Sequence, residues 1–100
     1  PQFVTMENSM GVVHDSQGIL PPPSAHLKSE VAIIAGIAEA TLKGRTTVDY
    51  SALKDDYNRI REGISRVIPG CENYSERVRG TGFYLPNGPR EGRFTTVVDL

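Results

Sequence analysis

The sequence predicts an α/β fold, α+β if the chain is taken in isolation, with two main helices packed on a few short strands. Three observations predict it. Apolar residues recur at helical spacing over residues 29–43 and 49–68. Short runs rich in β-branched and aromatic residues stand at 3–6, 83–85 and 93–98. Glycine and proline clusters separate these segments.

Taken in order, residues 3–6 read as a short strand. Residues 7–28 read as a loop and proline-rich connector: Asn8-Ser9, Gly11, Asp15-Ser16 and Gly18 are turn signals. Pro21-Pro22-Pro23 is then extended and donates no backbone hydrogen bonds, which makes it a stiff spacer. Ser29 is placed to cap the first helix, with Glu30 at the positive end of its dipole. Val31, Ile34, Ala35, Ala38 and Leu42 form one face of that helix, and Ile33, Ile37 and Thr41 an adjacent one. An apolar arc this wide predicts burial between two neighbours, and close packing against one of them would account for Gly36. Gly44 stops the helix.

Asp49 or Thr47 caps the second helix, whose stripe is Leu53, Tyr57, Ile60, Ile64 and Val67. Asp55 with Arg59 and Glu62 with Arg66 are acid-first pairs four residues apart. Pro69-Gly70 ends it. Beyond lie one helical turn at 73–78, turns at 80–82 and 86–89, a short strand at 83–85 and a final strand at 93–98.

One hundred residues make at most one domain, and 38% apolar with 23% charged residues is a globular composition. A net charge of −1 without a dense basic run excludes an obvious nucleic-acid or anionic-membrane partner. The longest apolar stretch, 31–38, is too short to span a bilayer. Cys71 is the single cysteine, so an internal disulfide and a cysteine-rich metal site are both excluded, and a reducing, cytoplasmic setting is expected. Strand-like residues at both ends predict an internal piece of a longer chain.

Chemistry is sparse. His14-Asp15-Ser16 contains the residue types of a nucleophilic triad, but contiguity denies the histidine a place between its partners. His14 and His26 are two imidazoles separated by three prolines, too few and too awkwardly spaced for a metal site. Gly80-Thr81-Gly82 lacks the strand-to-helix context of a phosphate cradle. Arg77, Arg79, Arg90 and Arg93 are the one basic cluster, read as paired or exposed, with a phosphate contact as the lesser reading.

Four segments in order carry a resemblance: residues 3–10 with 13–18, residues 26–38, residues 56–61 with 67–70, and residues 82–95. Together they resemble the large subunits of molybdopterin oxidoreductases, in the formate dehydrogenase-like branch. The resemblance implies that the chain is one fragment, 1–100, a partial domain of a larger molybdopterin-binding subunit. Such a subunit holds molybdenum or tungsten through two molybdopterin guanine dinucleotides and carries out two-electron redox chemistry, for example formate to carbon dioxide. It further implies that the segment around residues 5–18 lies near the cofactor crevice, with His14, Ser16, Asn8 and Ser9 as cofactor-binding residues. No catalytic or metal-ligand residue is assigned, and the fragment alone is expected to be inactive and cofactor-free. After Thr95 the sequence departs from the family pattern at Thr96-Val97-Val98-Asp99-Leu100. The expected partners are the remainder of the parent subunit and, through uncovered apolar helix faces, a second copy; no nucleic acid or membrane partner is expected. The competing expectation is an autonomous helical interaction domain without catalysis.

Overall fold

In the computed structural model, which describes residues 2–94, the chain begins with a hairpin. Strand β1 (Val4–Glu7) pairs antiparallel with β2 (Val12–Ser16), and β3 (Phe83–Tyr84) joins the other side of β2. Between them come helices α1 (Glu30–Leu42), α2 (Tyr50–Asp55), α3 (Tyr57–Val67) and α4 (Tyr74–Arg77); a 3₁₀ turn follows at Pro89–Glu91. This is an α+β arrangement, in which four helices are inserted between the second and third strands of a small antiparallel sheet.

The predicted loop at 7–28 contains a strand. Asn8 makes this possible. Its Oδ1 accepts from the backbone N–H of Met10 (2.9 Å) and Val12 (3.2 Å), and its carbonyl accepts from Gly11 N–H at 3.0 Å. Gly11 takes φ +76°, so four residues reverse the chain. Val12 and Val13 then fall in register with Tyr84 and Phe83.

The second predicted helix, 49–68, is two helices. Asp56 breaks it with φ −140°, and its side chain accepts from Asn58 N–H at 3.0 Å, starting α3 afresh. Aspartate competes for backbone donors in this way, which is why it favours caps over helix interiors. The break is bridged from the N-terminus: Gln2 donates to the Lys54 carbonyl at 3.1 Å and accepts from Tyr57 N–H at 2.6 Å. Of the predicted charge pairs, Glu62–Arg66 forms at 3.9 Å, whereas Asp55 meets Lys54 at 3.2 Å instead of Arg59. Of the second-helix stripe, Leu53, Tyr57, Ile60 and Ile64 are half-buried and Val67 is exposed.

Helix α1 starts at Ser29, whose Oγ accepts from Ala32 N–H at 3.1 Å, and Asp49 caps α2 through Ala52 N–H at 3.0 Å. α1 packs on α2 through buried Ala35, while Ile33, Ile34 and Ile37 stand in the open. A side chain built at Gly36 would meet nothing within 4 Å, so the close neighbour expected there is not among the described residues.

The core is elsewhere, where α3 and α4 meet the sheet. Val13, Cys71, Tyr74 and Val78 are buried together, with Phe3, Ile64, Phe83 and Leu85 packed around them. Tyr74 meets the Phe83 ring edge-on at 5.6 Å between centroids and donates its hydroxyl to Thr5 Oγ1 at 3.0 Å. Cys71 is thus a core residue. Of the predicted final strand, Arg93 and Phe94 lie outside any strand; the rest, like the departure at 96–100, falls outside the described residues.

Candidate functional site

Strand alternation divides the hairpin into two faces. Thr5, Val13, Asp15 and Phe83 turn toward the core. Val4, Met6, Val12, His14, Ser16 and Tyr84 share the opposite face, on which Val4, Met6, Ser16 and Tyr84 are exposed. His14 and Ser16 therefore stand side by side, and Asp15 points the other way. The contiguous triad reading is excluded by this alternation.

His14 is half-buried, and its Nδ1 lies 3.0 Å from the Asp15 carbonyl. A carbonyl only accepts, so Nδ1 carries the proton in this contact and Nε2 is the ring's other hydrogen-bonding atom. Asp15 is held from behind. Its carboxylate lies 3.5 Å from Arg79, and its N–H donates to the Val78 carbonyl at 3.2 Å. Gly82 lets the chain pass directly over this strand, since a Cβ there would fall 2.1 Å from the Val13 carbonyl oxygen. These contacts fix the backbone that presents His14 and Ser16.

Asn8 and Ser9 lie at the hairpin tip, both exposed. The Asn8 side-chain oxygen is spent on its own turn, so only its amide N–H₂ remains for a ligand. Ser9 keeps its hydroxyl exposed. His26 is exposed in the connector; among the described residues no group of three or more His, Cys, Asp or Glu could hold a metal ion.

The structure adds a residue that sequence reasoning placed only in a general basic cluster. Arg90 reaches back across the chain, donates from Nη2 to the Met10 carbonyl at the hairpin tip, and lies 4.5 Å from the Tyr84 ring centroid. A shallow cavity of about 480 Å³ opens there, lined by Met10, Tyr84, Leu85, Asn87, Arg90 and Glu91. The other three arginines are engaged. Arg77 donates to the carbonyls of Gly70 and Glu72 and sits on Phe83, Arg79 faces Asp15 and Phe3, and Arg93 pairs with Glu91. Among the described residues Arg90 has no carboxylate partner. The available sequence signal was an Asn87-Gly88-Pro89-Arg90 turn, which swings an arginine back over the preceding strand; Asn87 Oδ1 accepting from Arg90 N–H at 3.2 Å holds it.

The two ends of this face thus differ in chemistry. One offers an imidazole nitrogen and a hydroxyl, the other a guanidinium on an aromatic ring beside an amide and a hydroxyl. Hydrogen-bonding groups next to a guanidinium that has no carboxylate partner among the described residues suit an anionic, heteroatom-rich ligand.

Comparison with known proteins identifies much longer relatives. The chain is 44% identical over 93 residues to uncharacterized oxidoreductases of Mycobacterium tuberculosis and Mycobacterium bovis, a match covering 92% of this chain and 12% of theirs. It is also 44% identical over 96 residues to Protein YdeP of Escherichia coli K12, covering 95% of this chain and 12% of that protein. The chain therefore spans about 12% of the length of the curated relatives it matches. No family model and no solved structure matches it. Among the described residues no helix is long and apolar enough to cross a membrane.

Proposed function

We propose that this chain is a segment of a molybdopterin-dependent oxidoreductase, formate dehydrogenase-like, and that its open sheet face forms part of the wall of the cofactor crevice. The observation carrying the redox reading is 44% identity, over nine-tenths of the chain, to proteins named oxidoreductases. The finer reading rests on the motif resemblance together with the donor set on the sheet face.

The residues present fit a guanine dinucleotide of molybdopterin as a binding surface. His14 Nε2, Ser16 Oγ, Ser9 Oγ and the Asn8 amide supply hydrogen bonds of the kind that heteroatom-rich rings need. Arg90 supplies the positive charge a pyrophosphate needs. The residues do not fit a metal ligand: Cys71 is buried in the core at 4% exposure, and no metal-binding cluster forms among the described residues. When bound, the group supplies two-electron transfer at molybdenum or tungsten; the protein ligand to that metal lies elsewhere in the longer polypeptide. This segment binds and orients, with Asp15 and Arg79 keeping the strand rigid behind His14. A cytoplasmic setting belongs to the same proposal, in line with a free, buried thiol.

The test is His14→Ala in the long polypeptide that carries this segment, with metal content measured by mass spectrometry and formate oxidation by dye reduction. Cofactor retention and turnover should fall together. Normal metal content with normal turnover would remove His14 from the site.

A further inference from the structure

We propose that the Asn87–Gly88 peptide is a site of spontaneous deamidation, and that the reaction sets a carboxylate into the turn that carries Arg90. The backbone nitrogen of Gly88 attacks the side-chain carbonyl carbon of Asn87, a succinimide ring closes, and the side-chain amide leaves as ammonia with the Gly88 amide proton. Water then opens the ring at either carbonyl, giving aspartate or isoaspartate. Water is the only co-reactant, and holding nucleophile and carbonyl on adjacent residues makes the first step intramolecular.

The sequence has four asparagines, Asn8, Asn58, Asn73 and Asn87, and the fold treats them differently. Asn58 precedes Arg59, whose N–H donates to the Asp56 carbonyl at 3.0 Å, and its own Oδ1 accepts from Arg61 at 2.8 Å. Asn73 precedes Tyr74, whose N–H donates to Ser65 Oγ at 3.1 Å. In both, the attacking nitrogen is already held by an acceptor and belongs to a bulky residue. Asn8 is fixed in its turn by the N–H groups of Met10 and Val12. Asn87 is exposed, and among the described residues neither its amide nitrogen nor the Gly88 N–H has a partner. Gly88 also has no side chain to obstruct the approach.

Two contacts tie this reactivity to the fold. Arg90 N–H donates to Asn87 Oδ1 at 3.2 Å, and so faces the oxygen on which negative charge builds as the nitrogen attacks. Glycine is required at 88 for a separate reason, since a Cβ there would fall 2.9 Å from the Arg93 carbonyl oxygen. The turn that swings Arg90 over Tyr84 therefore needs the dipeptide that reacts. The charged side chains around it are Arg90, Arg93 and Glu91, the last paired with Arg93. A carboxylate at 87 would accept from the same N–H and give Arg90 an acid in its own turn, at the edge of the cavity that Asn87 lines. The added charge weakens anion binding there, a consequence that rests on the reading of Arg90 as an anion contact.

The long polypeptide that carries this segment is incubated in mildly alkaline buffer, native and in urea, and conversion at each asparagine is followed by peptide mass spectrometry. In the native protein Asn87 should react at least about 10-fold faster than Asn8, Asn58 and Asn73, and within about 10-fold of its own rate in urea. Asn8 should accelerate in urea, where its turn is lost. Equal native rates at the four positions would overturn the proposal, and so would a native rate at Asn87 more than about 10-fold below its rate in urea. Asn87→Asp should then lower metal retention about two- to five-fold, the worth of one exposed charge. Unchanged retention in Asn87→Asp alongside a loss in Arg90→Ala would overturn the charge effect. Unchanged retention in both would sink the cofactor reading and this consequence with it, while the rates at Asn87 decide the modification by themselves.

Discussion

Arg61 and Phe3 meet twice. The guanidinium carbon of Arg61 lies 3.8 Å from the Phe3 ring centroid, and Nη1 donates to the Phe3 carbonyl at 3.1 Å. Nε and Nη2 both reach Asn58 Oδ1, at 3.3 and 2.8 Å, so one cation ties β1 to α3 at only 5% exposure. Burial pushes its pKa below the usual arginine value, partly opposed by Asp56. The group nevertheless stays charged at any ordinary pH.

Arg61→Ala is therefore expected to destabilise the chain by about 2–4 kcal/mol in urea unfolding, through lost packing and unpaired acceptors. Arg61→Lys should recover less than half of this, because an ammonium cannot reproduce the planar fork. A loss below about 0.5 kcal/mol for Arg61→Ala would contradict the structural role.

Gly82 and Gly80 separate steric from conformational cost. Both have positive φ, +73° and +70°, but only Gly82 lies against the Val13 carbonyl. Gly80→Ala should cost about 1 kcal/mol, the ordinary left-handed penalty. Gly82→Ala should cost at least about 2 kcal/mol more, because the strand presenting His14 must shift. Equal costs, measured by thermal melts, would refute the close approach.

Arg90→Ala in the long polypeptide should reduce cofactor retention several-fold while shifting Tm by no more than about 2 °C, since the side chain is exposed. Arg90→Lys should restore part of the retention, as charge persists without the ring stacking. Full retention in Arg90→Ala would confine the residue to bracing the hairpin.

Glu72 gives a pH dependence. Its own N–H and that of Gly70, the latter at 3.2 Å, hold its carboxyl below the ordinary value of 4.5. A depressed folded pKa contributes stability that is present above 4.5 and is lost as pH falls through the folded value. Comparing urea midpoints of the native chain and Glu72→Gln between about pH 6 and pH 3 should show a small gap that closes toward the acid end. A gap that widened with acid would reverse the assigned sign.

Much of the helical layout was legible because local chemistry decided it: Ser29 and Asp49 cap their helices as their side chains dictate, and Gly44 and Gly70 adopt positive φ after helices. The break at Asp56 was not legible, since an aspartate pair within an apolar stripe reads equally well as a solvated face; Asp56 caps a new helix there, and Gln2, fifty-four residues away, satisfies the backbone groups this frees. Strand β2 was masked by Gly11 and Asn8, which look like a loop until Asn8 closes the turn around Val12. At the candidate site, His14 and Ser16 were found as residue types, but their shared face depends on strand pairing with Met6 and Val4. Arg90 was lost among four arginines because only the fold shows that it reaches back to the hairpin tip, to the Met10 carbonyl and the Tyr84 ring.

The Gln2 side chain makes the hairpin and the helices thermodynamically interdependent. Its amide occupies the carbonyl of Lys54 and the N–H of Tyr57, groups that a continuous helix would have satisfied internally. A chain whose first strand has come away would leave both to solvent and favour straightening of α2 and α3 into one rod. The bend at Asp56 is thus a property of the docked amino terminus as much as of the aspartate.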